Sequence, residues 1–413
     1  MNTSTSRLAE LARSGTPVGV GIIGLGANGS WAERSHLPAL RAVPGYELRA
    51  LSTSSKESAE RSGHKHGVSR TFGTAAELAA CDEVDLVVVA VKVPHHRELV
   101  RTALDAGKSV LCEWPLGNGL AEAEDMARQA RDRAVPTIVG LQARSHPALA
   151  YLRDLVADGY VGEVLSTTVV GSGGAWGGTV GPGDHHVLDA ANGMTLLTIP
   201  FAHTLDGLAS VLGEPEELRI DLASRRTSAV DTGTGRPVPM TAPDQVVASG
   251  RLPGGAVLAV HYRGGVSRGT NFRWEINGTE GDLVVTAPIG HLQLSPITIE
   301  GSRGASTGLA PLTVPESYIR VPGLDPRADA PAFAVSHAYQ RFFDDLREGG
   351  ISGGGSGSAS GSALGRALGR GSSAFGDTSG GTSGGTSGGA SGAPDFAHGA
   401  ARHRSIESAV TTP

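Results

Sequence analysis

A glycine loop, one histidine and a Glu-Trp-Pro turn are the features of this chain whose residue types and spacing suit chemistry. Gly24-Leu25-Gly26-Ala27-Asn28-Gly29 follows directly on the apolar run 18–23. There the first glycine makes a tight turn, the second lets the backbone approach a pyrophosphate, and the third lets helix and strand pack closely. Helix N–H groups then face the anion. With 60 glycines in 413 residues, such spacing is expected by accident about once. An overlapping match, Gly19, Gly21 and Gly24, lies inside the strand where no helix can begin, so context selects the later one.

A dinucleotide with a free ribose 2′-hydroxyl is usually met by an Asp or Glu about 20 residues on, at the end of the second strand. Here the run 48–51 ends in Ser52-Thr53-Ser54-Ser55-Lys56. Hydroxyls and a cation suit a 2′-phosphate, so the cofactor is expected to be NADP, or NADP and NAD alike. The serines also read simply as caps of the next helix. Val91 and Lys92 close the apolar run 85–93 and His96 follows it, where side chains at a sheet's C-terminal edge face a ligand crevice.

The elements that must position these residues follow from periodicity. Continuous apolar runs at 18–23, 48–51, 85–93, 109–112 and 137–141 alternate with helical spacing at 98–106 and 120–134. Apolar strands without alternation are buried on both faces, which predicts a doubly wound parallel sheet over 17–143. After a helix at 148–157 the pattern changes to strands at 162–170, 217–223, 245–252, 256–262, 272–277 and 283–286, with helices at 194–212 and 334–346. Tight turns at Pro253-Gly254-Gly255 and Asn277-Gly278-Thr279-Glu280-Gly281 argue for a mostly antiparallel open sheet in an α+β domain over 144–348. Residues 1–16 read as a flexible lead-in, 349–393 as a Gly/Ser-rich linker, and 394–413 as a final helix that folds back.

Composition narrows the function. A formal charge of −6 gives no overall basic excess for a nucleic-acid partner. Two cysteines, Cys81 and Cys112, support neither a disulfide framework nor a four-ligand zinc site. The polar N-terminus lacks a signal-like apolar run and 86–91 is too short to span a bilayer, so a cytoplasmic, membrane-free protein is expected.

Gly24 to Gly29, Cys112-Glu113-Trp114-Pro115-Leu116, Asp158-Gly159-Tyr160-Val161-Gly162-Glu163-Val164 and Asn277-Gly278-Thr279-Glu280-Gly281-Asp282 together resemble the glucose-fructose oxidoreductase, inositol dehydrogenase and MocA family, over about 17–348. Leu141-Gln142-Ala143-Arg144 and Phe201-Ala202-His203-Thr204-Leu205-Asp206, with Trp114, look most like its fungal galactose-pathway repressor branch. The resemblance implies that a Glu-Lys-Pro turn sets a lysine beside the nicotinamide, and that an Asp and a His four residues apart complete proton transfer. Glu113, Pro115 and His203 match, but Trp114 stands at the lysine position and Ile199 at the aspartate. His96 aligns with a family histidine near the cofactor ribose, and a homo-oligomer is implied.

The expected function is NAD(P)-dependent hydride transfer to or from a secondary alcohol or ketone of a sugar, polyol or glycoside. His203 is the expected acid/base, Lys92 a replacement cation, Glu113 and Trp114 cofactor neighbours. Arg144, Trp176, Asp189 and Asn192 are expected to hold a sugar-like substrate, and Asp206, three residues after His203 on the same helix face, to raise its basicity. No metal is expected. The rival is a non-catalytic sensor of a dinucleotide or sugar, favoured by Trp114 and Ile199.

Overall fold

Residues 3–349 and 392–411 are described in a computed structural model of the chain; the expected linker lies, over 350–391, outside the described residues. Six parallel strands, β1 (Val18–Ile23), β2 (Tyr46–Ser52), β3 (Arg70–Phe72), β4 (Leu86–Val89), β5 (Ser109–Glu113) and β6 (Thr137–Gly140), lie in the order β3-β2-β1-β4-β5-β6. Every residue of β1, β4, β5 and β6 is buried, as their unbroken apolar sequences require. Strand order reverses beside β1, and the C-terminal ends of β1 and β4 there flank the crevice in which open α/β sheets bind ligands.

Helices α1 (Thr3–Ser14), α2 (Trp31–Arg34), α3 (His36–Ala42), α4 (Lys56–His66), α5 (Ala75–Ala79), α6 (His96–Asp105) and α7 (Leu120–Asp132) accompany this sheet. The lead-in expected to be flexible therefore holds a helix, because Leu8 and Ala12, four residues apart, bury one face of it. A later helix, α10 (Ala330–Glu348), places Val335, Tyr339 and Phe342 in the same cluster as Val18, Val20 and Ile22. The first sheet is thus covered by a helix that follows the second domain in sequence.

Following α8 (Pro147–Ala157), an eight-stranded sheet forms from β7 (Val164–Ser172), β9 (Glu217–Ala223), β12 (Gln245–Arg251), β13 (Val257–Arg263), β14 (Phe272–Gly278), β15 (Gly281–Ala287), β16 (Thr298–Arg303) and β17 (Ala310–Pro311), in the order β17-β16-β15-β14-β7-β13-β12-β9. All its pairings are antiparallel except β7 with β13, which is parallel. A small second sheet joins β8 (Thr179–Val180), β10 (Ser228–Asp231) and β11 (Pro237–Pro239). Residues 190–212 are long and apolar enough to cross a bilayer by composition, yet 72 % of the qualifying stretch is buried within the protein, as in a core helix. The stretch is broken into short turns, a wide turn at Leu197–Phe201 and then α9 (Ala202–Leu212). Pro200 inside the wide turn has no N–H to continue an α-helical ladder.

Helix α11 (Phe396–Ala409) folds back across both domains. Its lead-in donates and accepts along β6, with Val139 N–H to Pro394 O at 2.8 Å and Phe396 N–H to Thr137 Oγ1 at 3.2 Å. Its exit meets β9 at Ile220. Between them Arg402, 2 % exposed, pairs with fully buried Asp206 at 3.1 Å and with the more exposed Glu214 at 2.7 Å. His398 Nε2 lies 2.7 Å from the same Asp206 oxygen, and Arg144 Nε lies 3.2 Å from the other.

Removing one partner of a buried ion pair costs about 3–5 kcal/mol, because the remaining charge stays buried. Arg402→Ala is therefore expected to destabilise by that amount in urea unfolding, and Glu214→Ala by less than about 1 kcal/mol. Acid should also unfold the protein. Burial, with the charge of His337, pushes His146 down to about 3. Burial, with Arg320 and Arg341, pushes His337 to about 4, and burial alone does so for His403. Unfolded histidines titrate near 6.5, so the unfolded state takes up protons first. Stability should be full above about pH 6.5 and fall as the pH drops from there toward 4. Thermal unfolding across that window checks this, and His403→Leu should reduce the slope by about one proton.

Candidate functional site

The glycine loop leaves β1 with Gly24 at φ +98°, where its N–H donates to Ser52 O at 2.9 Å. A Cβ there would lie 2.5 Å from Ala90 O and 2.7 Å from Val91 Cγ1, so only glycine lets β1 and the end of β4 approach this closely. Val91 therefore forms the wall opposite the loop. Ser30 caps α2, and its hydroxyl accepts from the Gly26 N–H at 3.1 Å, while Glu33 accepts from the Gly29 N–H at 2.6 Å. Lys65 ties the loop down from α4 through Ala27 O at 2.6 Å and through Glu33. Among the described residues no acceptor meets the N–H groups of Leu25, Ala27 and Asn28. A turn with free N–H donors between a buried strand and a helix fits a diphosphate.

At the end of β2, Ser52 is buried and Ser55 caps α4, while Ser54 and Lys56 are exposed. Thr53 Oγ1 turns inward to Ser55 O at 3.0 Å. The half of this motif that caps a helix is thus distinct from Ser54 and Lys56, which stay available to a ribose. His96 is buried and spans the crevice floor, with Nε2 at 3.1 Å from Val91 O and Nδ1 at 3.0 Å from Pro115 O. It holds the β4 and β5 ends together rather than facing a ligand, and burial lowers its pKa.

Glu113, at the end of β5, is 8 % exposed and accepts from His36 Nε2 at 2.9 Å. Gln142 Nε2 lies 3.4 Å from its other oxygen, and His36 continues through Nδ1 to the Tyr339 hydroxyl at 2.8 Å. Burial pushes the Glu113 pKa up, but the His36 hydrogen bond and charge outweigh it and hold the carboxyl below its usual value. Trp114 is expected to neighbour the cofactor. Its indole N–H instead donates to Thr198 O at 2.6 Å, and its ring packs at 4.5 Å against His403 of α11. With 6 % exposure it is a joint between domains.

His203 lies on the first turn of α9, 3 % exposed, with its Nδ1 buried and unpartnered. Burial lowers its pKa to about 4, against the opposing charges of Glu113 and Asp206. Asp206 does not orient it. That carboxylate is engaged by Arg144, Arg402 and His398, which hold its pKa far below the usual range although burial opposes them. Arg144 is thereby removed from substrate binding.

The other expected substrate residues are structural as well. Trp176 is 2 % exposed, adopts φ +57°, and donates through its indole to Val187 O at 2.8 Å. Asp189 caps the turn at Ala191 N (3.0 Å) and accepts from Thr241, and Asn192 Nδ2 donates to His186 O at 2.9 Å. Their polar groups are spent on the turns of their own loop. Lys92 stays exposed, close enough to His186 for its charge, after burial, to lower that imidazole's pKa. No metal-ligating cluster occurs among the described residues. Sequence reasoning missed His36, Gln142, Tyr339, His398 and Arg402, whose partners are 29 to 303 residues away.

Residues 18–141 match the model of an oxidoreductase family with an NAD-binding Rossmann fold, and 147–287 match that of the Gal80p C-terminal domain. The chain is 29 % identical over 324 residues to the galactose/lactose metabolism regulatory protein GAL80 of Saccharomyces cerevisiae, covering 71 % of this chain and 73 % of that protein. It is 37 % identical over 201 residues to the dehydrogenase aclE of Aspergillus oryzae, covering 47 % and 55 %. A super-repressor mutant of Gal80p from Saccharomyces cerevisiae superposes with a TM-score of 0.76 at 23 % identity over 95 % of each chain. Levoglucosan dehydrogenase in complex with NADH and levoglucosan gives 0.70 at 19 %, over 95 % and 96 %. These two likenesses speak to fold. Residues 18–141 are thus an NAD(P)-binding Rossmann domain of the oxidoreductase family that includes glucose-fructose oxidoreductase, inositol dehydrogenase and MocA, and 147–287 are a domain of the Gal80p C-terminal type.

Proposed function

We propose that the protein is an NAD(P)-linked oxidoreductase acting on a secondary alcohol or ketone of a sugar, polyol or glycoside, with His203 moving the proton at the reacting oxygen. The observation that carries this reading is the His203 imidazole itself: buried, in the field of Glu113, with an unpartnered Nδ1, on the segment whose Thr198 carbonyl touches the Trp114 turn. When bound, the dinucleotide supplies the two-electron chemistry at its nicotinamide. The chain's own part begins with the N–H groups of Leu25, Ala27 and Asn28, which hold the diphosphate, and with Ser54 and Lys56 at the ribose. Lys92 and His186, rather than Asp189 and Asn192, are the polar groups that remain to meet a substrate.

A histidine pushed to about 4 is neutral at pH 7 and so accepts a proton in the oxidation direction. General acid–base assistance of this kind contributes about 10²- to 10⁴-fold. A second reading, a dinucleotide-responsive regulator without turnover, is favoured by the apolar Trp114 and Ile199 at two of three polar positions.

The purified protein, given NAD or NADP with a panel of sugars, polyols and glycosides, is expected to change reduced-nicotinamide absorbance. His203→Ala should lose about 10²- to 10⁴-fold in kcat while binding dinucleotide normally. The acid limb of kcat/KM should lie near pH 4, where His203 titrates, and not near 6.5. Dinucleotide binding without turnover above a Gly26→Trp control would leave the regulator as the surviving reading. Ser54→Asp should shift preference toward NAD by about tenfold or more, since a carboxylate repels a 2′-phosphate; an unchanged ratio of the two affinities would remove Ser54 from the ribose site.

A further inference from the structure

The turn Gln142–Ser145, α8 and α10 line a cavity of about 180 Å³. Ser145, Arg153, Tyr318, Arg320, His337 and Arg341 stand in its wall. We propose that this cavity binds a small hydroxylated anion with the chemistry of a phosphate monoester, with Arg341 pairing the anionic oxygens and Ser145 and His337 reading a hydroxyl.

The charges around the cavity do not balance. Arg320 Nη2 is paired with Asp344 at 2.6 Å, and Arg153 with Asp154 at 2.8 Å. Asp154 also accepts from the Tyr318 hydroxyl at 2.8 Å. Arg341 has no ion pair or hydrogen bond among the described residues. Asp345 attracts it, but that carboxylate accepts the Ala393 N–H at 2.6 Å, and burial pushes its pKa up. Burial and the like charges of Arg144, Arg153 and Arg320 bring Arg341 down to about 10, which leaves it cationic at neutral pH. One guanidinium in the wall is therefore uncompensated, and this group suits two-point recognition of phosphate.

Two further polar atoms lack partners, Ser145 Oγ and His337 Nε2, on residues 4 % and 3 % exposed. Leaving such atoms unsatisfied is costly. His337 Nδ1 lies 2.8 Å from Phe333 O, and a carbonyl can only accept, so Nδ1 carries the proton. Nε2 then presents a lone pair and calls for an O–H donor. Both atoms are sealed from solvent, so turns of the Ser145 and His337 side chains toward the cavity are what bring them onto an anion that also carries a hydroxyl, beside Arg341. The cavity is smaller than the 300 Å³ or more typical of sites for larger ligands, which excludes a dinucleotide.

Calorimetry and thermal unfolding of the full chain without dinucleotide test this, using inorganic phosphate, glucose 6-phosphate, inorganic sulfate and uncharged glucose. Phosphate and glucose 6-phosphate are expected to bind and raise the unfolding temperature, and glucose to do neither. Arg341→Gln should weaken phosphate by about tenfold or more, yet match or exceed the wild type in stability without anion. Ser145→Ala offers a second, milder loss of affinity should Arg341→Gln fail to fold. Gly26→Trp should keep the response, and losing it would place the phosphate at the glycine loop and overturn the proposal. So would a wild type that responds to none of the anions, or variants that respond as it does. Sulfate, unprotonated at neutral pH, should bind more weakly than phosphate; equal binding would overturn the role given to His337.

Discussion

One buried carboxylate organises this molecule. Asp206 is fully enclosed, and an ionised group there would cost several kcal/mol of lost hydration unless matched by charge and hydrogen bonds. Its partners come from two distant places, Arg144 from the turn after β6 and Arg402 with His398 from α11. Neither half of the chain satisfies Asp206 alone, so the return of α11 is a condition of forming α9 in its observed place. Asp345, near the end of α10, accepts the N–H of Ala393, so the chain re-enters beside the point where α10 ends.

The same network decides the chemistry of His203. Spacing of i and i+3 brings Asp206 to the His203 face of α9, which is why it reads as an orienting acid. Adjacency does not determine which partner wins. Arg402 and His398 take the hydrogen bonds of one carboxylate oxygen, Arg144 faces the other as an ion partner, and together they offset its field, so burial dominates the imidazole and brings it to about 4 instead of above its ordinary value. The competitors lie 62 to 196 residues from Asp206 in sequence, so no local pattern announces them.

What the sequence made legible follows the same division. The parallel sheet, the glycine loop, the second sheet and α11 rest on short-range periodicity and turn chemistry, which act within a few residues. Strands β3, β8, β10 and β11 are two to four residues long and carry no period to detect. Within the site, residue type misled where one side chain serves either purpose. Trp176 has the face to hold a sugar, but its positive φ and its indole bond to Val187 O turn it into the core. Asp189 and Asn192 have ligand-like polarity that the turns of their own loop consume.

Trp114 and Ile199 are best understood as one change. The Trp114 indole donates to Thr198 O, the carbonyl immediately before Ile199, so the two unusual positions meet across the domain boundary. A lysine at 114 or an aspartate at 199 alone would set an unpaired charge at this boundary, at a cost of a few kcal/mol. Trp114 and Ile199 together leave a neutral joint, sealed on its far side by His403. In the proposed reaction this removes a positive charge that would stabilise a developing alkoxide. What remains is a neutral imidazole beside an ionised Glu113, whose field favours the protonated histidine without supplying an acid of its own. Such a site depends on holding the reacting carbon and the nicotinamide in register more than on charge, and that register is set by the buried Asp206 network through α9.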